Sequence, residues 1–328
     1  MKRALITGIT GQDGSYLAEL LLDNSYEVWG MHRRTSTPPF ERIDHLKDKI
    51  TLRCGDLTDA VSLMYIMEEA GGFDEIYNLA GQSQVKISFI QPILTNEVNY
   101  HGLIRIFETA KRLGIKPKIY QASTSEIFGR SKPPQNEESE KLPVSPYAIS
   151  KLDAHNYMKR MRDEGYFAAT GILFNHESPR RGLEFVTRKI VRGIAEIKAG
   201  LSENIKLGNL DAKRDWGYAG EYVWAMWRIM QQKEPDDYVI ATGETHSVRE
   251  FIEEAGRVAG LKDPLNYVVI DEKQKRPVDV DFLCGDSTKA REKFGWNPRI
   301  KFEGLADMMM KAETEIVRRL VNSGLYYK

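Results

Sequence analysis

The feature that most constrains this chain is an alternation. Short apolar runs suited to buried strands recur through the first half, each parted from the next by apolar residues at helical spacing. Strands are expected at Ala4–Thr7, Glu27–Met31, Ile50–Arg53, Glu75–Leu79, Lys118–Ala122 and Ala168–Leu173. Helices are expected at Ser15–Asp23, Ala60–Glu69, Glu97–Leu113 and Ser145–Glu164. Strands separated by helices pair in parallel, with the helices crossing over both faces of one sheet. Such crossovers are right-handed, so the expected fold is α/β: a doubly wound, Rossmann-like parallel sheet. Beyond about Phe174 the rhythm breaks into turn-prone, charged stretches such as HESPRRG and LGNLDAKRDWG. A smaller α+β domain is expected there, interleaved with the first. Residues 1–174 plus about 211–242 form the expected dinucleotide domain, and about 175–210 plus 243–328 the substrate domain.

The first crossover, ALITGITGQDGSYLAELLL, places Gly8, Gly11 and Gly14 in a GxxGxxG spacing, with Thr10, Gln12 and Asp13 between them. Glycine permits a tight turn and close backbone approach to a pyrophosphate, and the helix N-terminus that follows offers free N–H groups. A plain strand-to-helix turn is the alternative. The second strand ends GMHRRTS, without the acid that would hold a ribose diol. Arg33 and Arg34 stand there instead, and a guanidinium takes a 2′-phosphate bidentately, so NADP is the expected cofactor. The alternative is a solvated basic turn. After the third strand, Asp56 and Leu57 suit the adenine, although Asp56 could equally be the N-cap of the next helix. Leu79, Ala80, Gln82 and Ser83 follow the fourth strand in NLAGQS, small enough on average for close passage of a cofactor.

Charge and cysteine content narrow the classes. Lys plus Arg and Asp plus Glu both number 47, so no basic excess points to nucleic acid. No apolar run has transmembrane length. Cys54 and Cys284 are the two cysteines, and no His/Cys cluster has metal-ligand spacing. No metal, no disulfide framework and no signal peptide are expected, and the location is expected to be cytoplasmic.

Tyr147 and Lys151 form a YxxxK pair in SPYAISK, on one face of a helix. A nearby ammonium and the cationic nicotinamide are together expected to lower the tyrosine pKa, so that it can take a proton from an alcohol. Just past the fifth strand, ASTSEIFG sets one carboxylate, Glu126, among hydroxyls. It is either a helix-cap acid or a proton carrier.

With the glycine turn, these features resemble the extended short-chain dehydrogenase/reductase family over nearly the whole chain. That resemblance implies that Thr124 hydrogen-bonds the substrate hydroxyl. An acid two residues on marks members that eliminate water from a nucleotide sugar. It also occurs in nucleotide-sugar decarboxylases. FNHESPRRG, VTRKI and LGNLDAKRDWGYAGEYVWAMW are more specific and resemble the GDP-mannose 4,6-dehydratase family. The implied reaction oxidises carbon 4 of the sugar, loses water across carbons 5 and 6, and returns the hydride to carbon 6. By the same resemblance His176 and Arg181 lie near the cofactor. Ser83, Ser125 and Asn175 would contact the GDP-sugar, Asn175 at its diphosphate. Lys189 would sit near guanine, Arg214 and Arg276 on phosphates, and Asp279 on the ribose. For each arginine a surface or interdomain salt bridge is the alternative. Asp279 stands where the family has glutamate, and Gln84 where it commonly has histidine, so another GDP-sugar such as GDP-heptose is conceivable. A ketosugar reductase, a uronate decarboxylase and a non-catalytic NADP sensor are the competing classes. Family members are homodimers or homotetramers, with the loop after the second strand at an interface.

Overall fold

The computed structural model describes residues 1–37, 39–274, 277–278, 280 and 282–324. Seven parallel strands form its central sheet: β1 (Arg3–Thr7), β2 (Glu27–His32), β3 (Thr51–Cys54), β4 (Glu75–Asn78), β5 (Lys118–Thr124), β6 (Ala168–Leu173) and β7 (Asp237–Ile240). Their order is β7-β6-β5-β4-β1-β2-β3. Six are the expected strands, within two residues at their ends. β7 was not foreseen: a four-residue run, DYVI, is too short for a periodicity to declare it.

The strands read as continuous apolar runs because both faces of the sheet are covered. Ala4, Ile6, Tyr77, Tyr120 and Ala169 face one layer, built on α1 (Gln12–Asp23) with the later helix Ala219–Met230. Their neighbours Leu5, Ile76, Ile119 and Ala168 face the other. That second layer holds α2 (Ala60–Glu69), α5 (Gly102–Arg112) and α6 (Pro146–Asp163), and Leu63, Phe107 and Met158 are fully buried in it. Before α5 come two short helices, α3 (Val85–Ile90) and α4 (Pro92–Asn96).

The single expected helix over Glu97–Leu113 is in fact a π-helical turn, Glu97–His101, running into α5. α3 and α4 were missed because Pro92 breaks the apolar run into pieces too short to show a helical period.

Beyond β6, α7 (Val186–Lys198), α8 (Ala219–Met230), α9 (Val248–Ala259), α10 (Thr288–Phe294) and α11 (Phe302–Asn322) complete the chain. α7, α9 and α11 enclose a separate core, where Trp216 packs against Phe251 and Phe302. Among the described residues no helix is long and apolar enough to cross a membrane. The strand order reverses between β4 and β1, so the crossovers diverge there and leave a crevice at the strands' carboxyl ends.

Candidate active site

That crevice is a cleft of about 840 Å³. Gly8, Thr10, Gly11, Gln12, Asp13 and Gly14 line it from the first crossover. Arg33, Asp56 and Leu57 line it from the ends of β2 and β3, and Leu79, Ala80, Gln82 and Ser83 from the end of β4. Thr124, Ser125, Glu126, Tyr147 and Lys151 form one wall, and Asn175, His176 and Arg181 the opposite one. Lys189 and Arg214 do not line it. Lys189 Nζ donates to Gln274 Oε1 at 2.9 Å, and Arg214 is buried on the two-residue strand Lys213–Arg214. Arg276 and Asp279 lie outside the described residues.

The glycines divide their work. A Cβ on Gly14 would lie 2.5 Å from the Gly8 carbonyl oxygen and 2.6 Å from Ile9 Cα, so Gly14 lets α1 pack on the turn. Gly8 takes a φ of 73° beside Ala80. Gly11 is the least crowded of the three, but its Cβ position would still lie 3.2 Å from the Gly8 carbonyl oxygen, a tight contact. All three glycines therefore shape the turn, and all three line the cleft.

On the catalytic wall, β5 delivers Thr124 in extended conformation, and the chain then turns through Ser125–Ile127. The Thr124 hydroxyl accepts from the Glu126 N–H at 3.3 Å. Thr124 is thus the cap of that turn, and the Glu126 side chain is buried and lines the cleft. Ser145 caps α6 by accepting from the Ala148 N–H, with Pro146 in the first turn. One face of α6 then carries Tyr147 and Lys151. Lys151 Nζ donates to the Ala122 carbonyl at 2.9 Å, and burial lowers its pKa to about 8.

The lowering expected of the Tyr147 pKa rests on the ammonium and the nicotinamide together; in the protein alone it is raised. Burial pushes it up to about 12; a hydrogen bond with Thr124 pulls it down, and the Glu126 charge pushes it further up. Desolvation is the largest cause; the Arg181 charge also lowers the pKa, and the Asp13 charge raises it.

Asp56 is not the helix cap. It accepts from the Thr58 N–H and hydroxyl, while Asp59 caps α2. On the far wall, His176 faces acceptors with both ring nitrogens: Asp13 Oδ2 and the Phe174 carbonyl oxygen, each at 2.8 Å. Burial favours the neutral ring, but the Asp13 carboxylate outweighs it and raises the His176 pKa. The ring stacks on Tyr222 at 4.6 Å.

Two functional side chains escaped the sequence. Asn99, in the π-helical turn, is buried; its Oδ1 accepts from the Gln82 N–H, and its Nδ2 donates to the Gln82 carbonyl and Ser150 Oγ. It ties the end of β4 to α6. Its one signal was a polar residue inside an amphipathic stretch. Arg42 lines the cleft and donates to the carbonyls of Arg180 (2.7 Å) and Thr10 (3.3 Å). Nothing in its local sequence marks it.

The cleft also holds buried polar atoms with no hydrogen-bond partner among the described residues, Ser123 Oγ and Asn175 Oδ1. Such atoms are costly unless something polar meets them, and they suit a polar ligand. No His/Cys/Asp/Glu group able to hold a metal occurs among the described residues.

A sequence profile described as GDP-mannose 4,6 dehydratase matches residues 5–309. GDP-mannose 4,6 dehydratase 2 of Arabidopsis thaliana is 48% identical over 98% of this chain and 90% of its own length. GDP-mannose 4,6 dehydratase of Homo sapiens is 47% identical over 98% of this chain and 93% of its own. The fold is shared with UDP-glucose 4-epimerase of Thermotoga maritima solved with UDP-glucose: TM-score 0.84 and 22% identity, covering 96% of this chain and 99% of that one.

Proposed function

The chain belongs to the GDP-mannose 4,6-dehydratase family, and on that premise we propose that it converts GDP-D-mannose to GDP-4-dehydro-6-deoxy-D-mannose with Thr124, Glu126, Tyr147 and Lys151 as the working residues. The observation that carries the reading is the Glu126 carboxylate, buried in the same cleft as Thr124 and Tyr147. A ketosugar reductase has no use for an acid there.

The residues fit NADP. Gly11 lines the cleft at the N-terminus of α1, Arg33 offers a guanidinium to a 2′-phosphate, and Tyr147, Lys151, His176 and Arg181 line the remainder. When bound, NADP accepts the hydride from carbon 4 and returns it to carbon 6, so it is regenerated in each turnover.

Tyr147 takes the proton from the carbon-4 hydroxyl while Thr124 hydrogen-bonds that oxygen. With its pKa held near 12 by burial, Tyr147 needs added positive charge in the cleft to do so at neutral pH. Lys151, one turn along α6, steadies the developing phenolate. The carbon-4 ketone acidifies the proton on carbon 5. Glu126 removes that proton and delivers it to the carbon-6 hydroxyl, which leaves as water. The proton first taken from the carbon-4 hydroxyl balances the one restored at carbon 5 when carbon 6 is reduced.

Ser83, Ser125 and Asn175, all in the cleft, are the proposed sugar and diphosphate contacts. Lys189 and Arg214 are proposed for the nucleotide end. Gln84 also lines the cleft and favours a second reading, a related GDP-sugar such as GDP-heptose. A homodimer or homotetramer is part of the same reading, supported by Ile90 and Ile93, which are 69% and 83% exposed. So is a cytoplasmic setting, which two free thiols suit.

The test is one incubation with GDP-mannose deuterated at carbon 4 and sub-stoichiometric NADP. Loss of one water with deuterium recovered at carbon 6 is the expected result. Stoichiometric consumption of NADPH on a ketosugar, or loss of carbon dioxide from a uronate, would sink the reading. Turnover only with another GDP-sugar would move it to the second.

A further inference from the structure

On the far wall of the cleft, His176 sits on a short strand, Asn175–Glu177, that pairs in parallel with Trp216–Tyr218. Arg181 sits on the irregular segment that follows, before α7, and side chains sew that segment down from two directions. On one side it meets α1. Ser178 Oγ donates to Gln12 Oε1 at 2.7 Å, and Arg180 reaches Ser15 Oγ at 3.1 Å and Glu19 Oε1 at 2.6 Å. On the other side the Arg188 guanidinium holds it, and Arg42 Nε adds a bond to the Arg180 carbonyl at 2.7 Å. Arg188, on α7, is 8% exposed. Its Nη1 donates to the carbonyls of Pro179 at 2.5 Å and Arg181 at 2.8 Å, while its Nε donates to Glu313 Oε2 on α11. Glu313 is fully buried, and its other oxygen accepts from Arg192 Nε.

We propose that Arg188 is a positioning residue for the cofactor: it fixes the backbone of Pro179 and Arg181 against α11, and so presents the Arg181 guanidinium to the cleft. Arg188 does not itself line the cleft. Its planar fork can serve the Glu313 carboxylate and two carbonyls at once, which an ammonium cannot do from the same place. The Arg181 side chain is set by a second contact, Arg181 Nε with buried Glu177 Oε2 at 3.0 Å, and it lies over the Phe185 ring at 3.6 Å. Glu177 can direct that side chain only if the backbone of Arg181 stays where Arg188 keeps it. The fully buried carboxylate at Glu313 gives the fork a fixed anchor, because a charge so placed cannot give up its partners without a large desolvation cost.

The proposal rests on the reading of this cleft as an NADP site. Arg192 supplies an internal control, since it shares Glu313 but makes no hydrogen bond to the 178–182 segment in the described structure. The experiment measures NADP affinity by calorimetry, melting temperature, and amide hydrogen exchange over 178–185 for wild type, Arg188→Lys and Arg192→Lys. Arg188→Lys is expected to weaken NADP binding about tenfold and to speed exchange in that segment. Arg192→Lys is expected to lower the melting temperature to a similar extent with NADP affinity unchanged within about twofold. Equal affinities in the three proteins, or equal losses in both variants, would overturn the positioning role. Failure of wild type to bind NADP would instead overturn the reading on which it rests. If Arg188→Lys does not fold, Glu313→Asp retracts the anchor by one methylene and keeps its charge. The same weakened binding is then expected, and undiminished binding counts against the proposal.

Discussion

The two walls of the cleft are built by different means. The catalytic wall is regular structure: the end of β5 supplies Thr124, one tight turn supplies Glu126, and one face of α6 supplies Tyr147 and Lys151. The far wall is a three-residue strand, Asn175–Glu177, followed by an irregular segment whose shape depends on side chains from α1, α7 and α11, distant in sequence. A regular wall sets side-chain geometry by backbone period alone. An irregular one needs a buried charge or amide for each constraint, and each such group has a desolvation cost that only exact pairing offsets. The catalytic wall should therefore tolerate changes at the tips of its side chains without losing shape, and its losses should appear in chemistry. Losses on the far wall should appear in binding.

The largest expected effect follows from Tyr147→Phe. The ring stays packed and the proton acceptor is removed, so kcat should fall on the order of 10³–10⁴-fold with the melting temperature nearly unchanged. A comparable loss of fold stability would erase the contrast between the walls. Next, Glu126→Gln should lower kcat about 10²–10³-fold while leaving the first oxidation competent. Rapid-quench single turnovers should then show reduced cofactor accumulating; dehydrated product without that accumulation would remove Glu126 from the elimination step.

The third prediction concerns pH. In the fold Lys151 has a pKa near 8, against an ordinary value of 10.5 in the unfolded chain. Between those values the unfolded chain binds more protons, so stability should rise with pH over that window, by about 3 kcal/mol at most from this group. The gain is complete above 10.5 and lost as pH falls through 8. Urea melts of wild type and Lys151→Met across that range should diverge in slope; parallel profiles would show that the lysine is not the group titrating.

Gly14→Ala should cost about 1–3 kcal/mol and weaken NADP binding, because its Cβ would collide with the backbone of Gly8 and Ile9. An unperturbed variant would mean that α1 can shift away at no cost. The smallest effect is expected from Arg33→Ser. Arg33 is exposed, so losing its phosphate contact should weaken NADP about tenfold and leave NAD binding nearly constant. Equal losses for both dinucleotides would remove the 2′-phosphate from its role.

Legibility follows the same division. The strand–helix rhythm, the glycine turn and the YxxxK face could be read because each is a local period or spacing, and six of the seven sheet strands were. The roles suggested for His176 and Arg181 came from resemblance, and the chain's own chemistry near them gave no warrant. Asn99 and Arg42 were missed because their partners, Gln82 and Ser150 for one and Thr10 and Arg180 for the other, are brought near only by folding. The rise of the Tyr147 pKa in the protein without its cofactor was not legible, for a related reason. A neighbouring lysine is visible in sequence, but the loss of water around both groups is not.

By itself the sequence determined the sheet, its crossovers, the crevice where they diverge and the spacing of tyrosine and lysine on one helix, since backbone periodicity is a local property. Only the tertiary structure decided how tightly each glycine of the turn is packed, that Thr124 caps the turn after β5, and how Arg188 and Glu313 hold the far wall. Those outcomes depend on burial and on pairs of groups more than a hundred residues apart, such as Arg188 and Glu313, and no local pattern carries either.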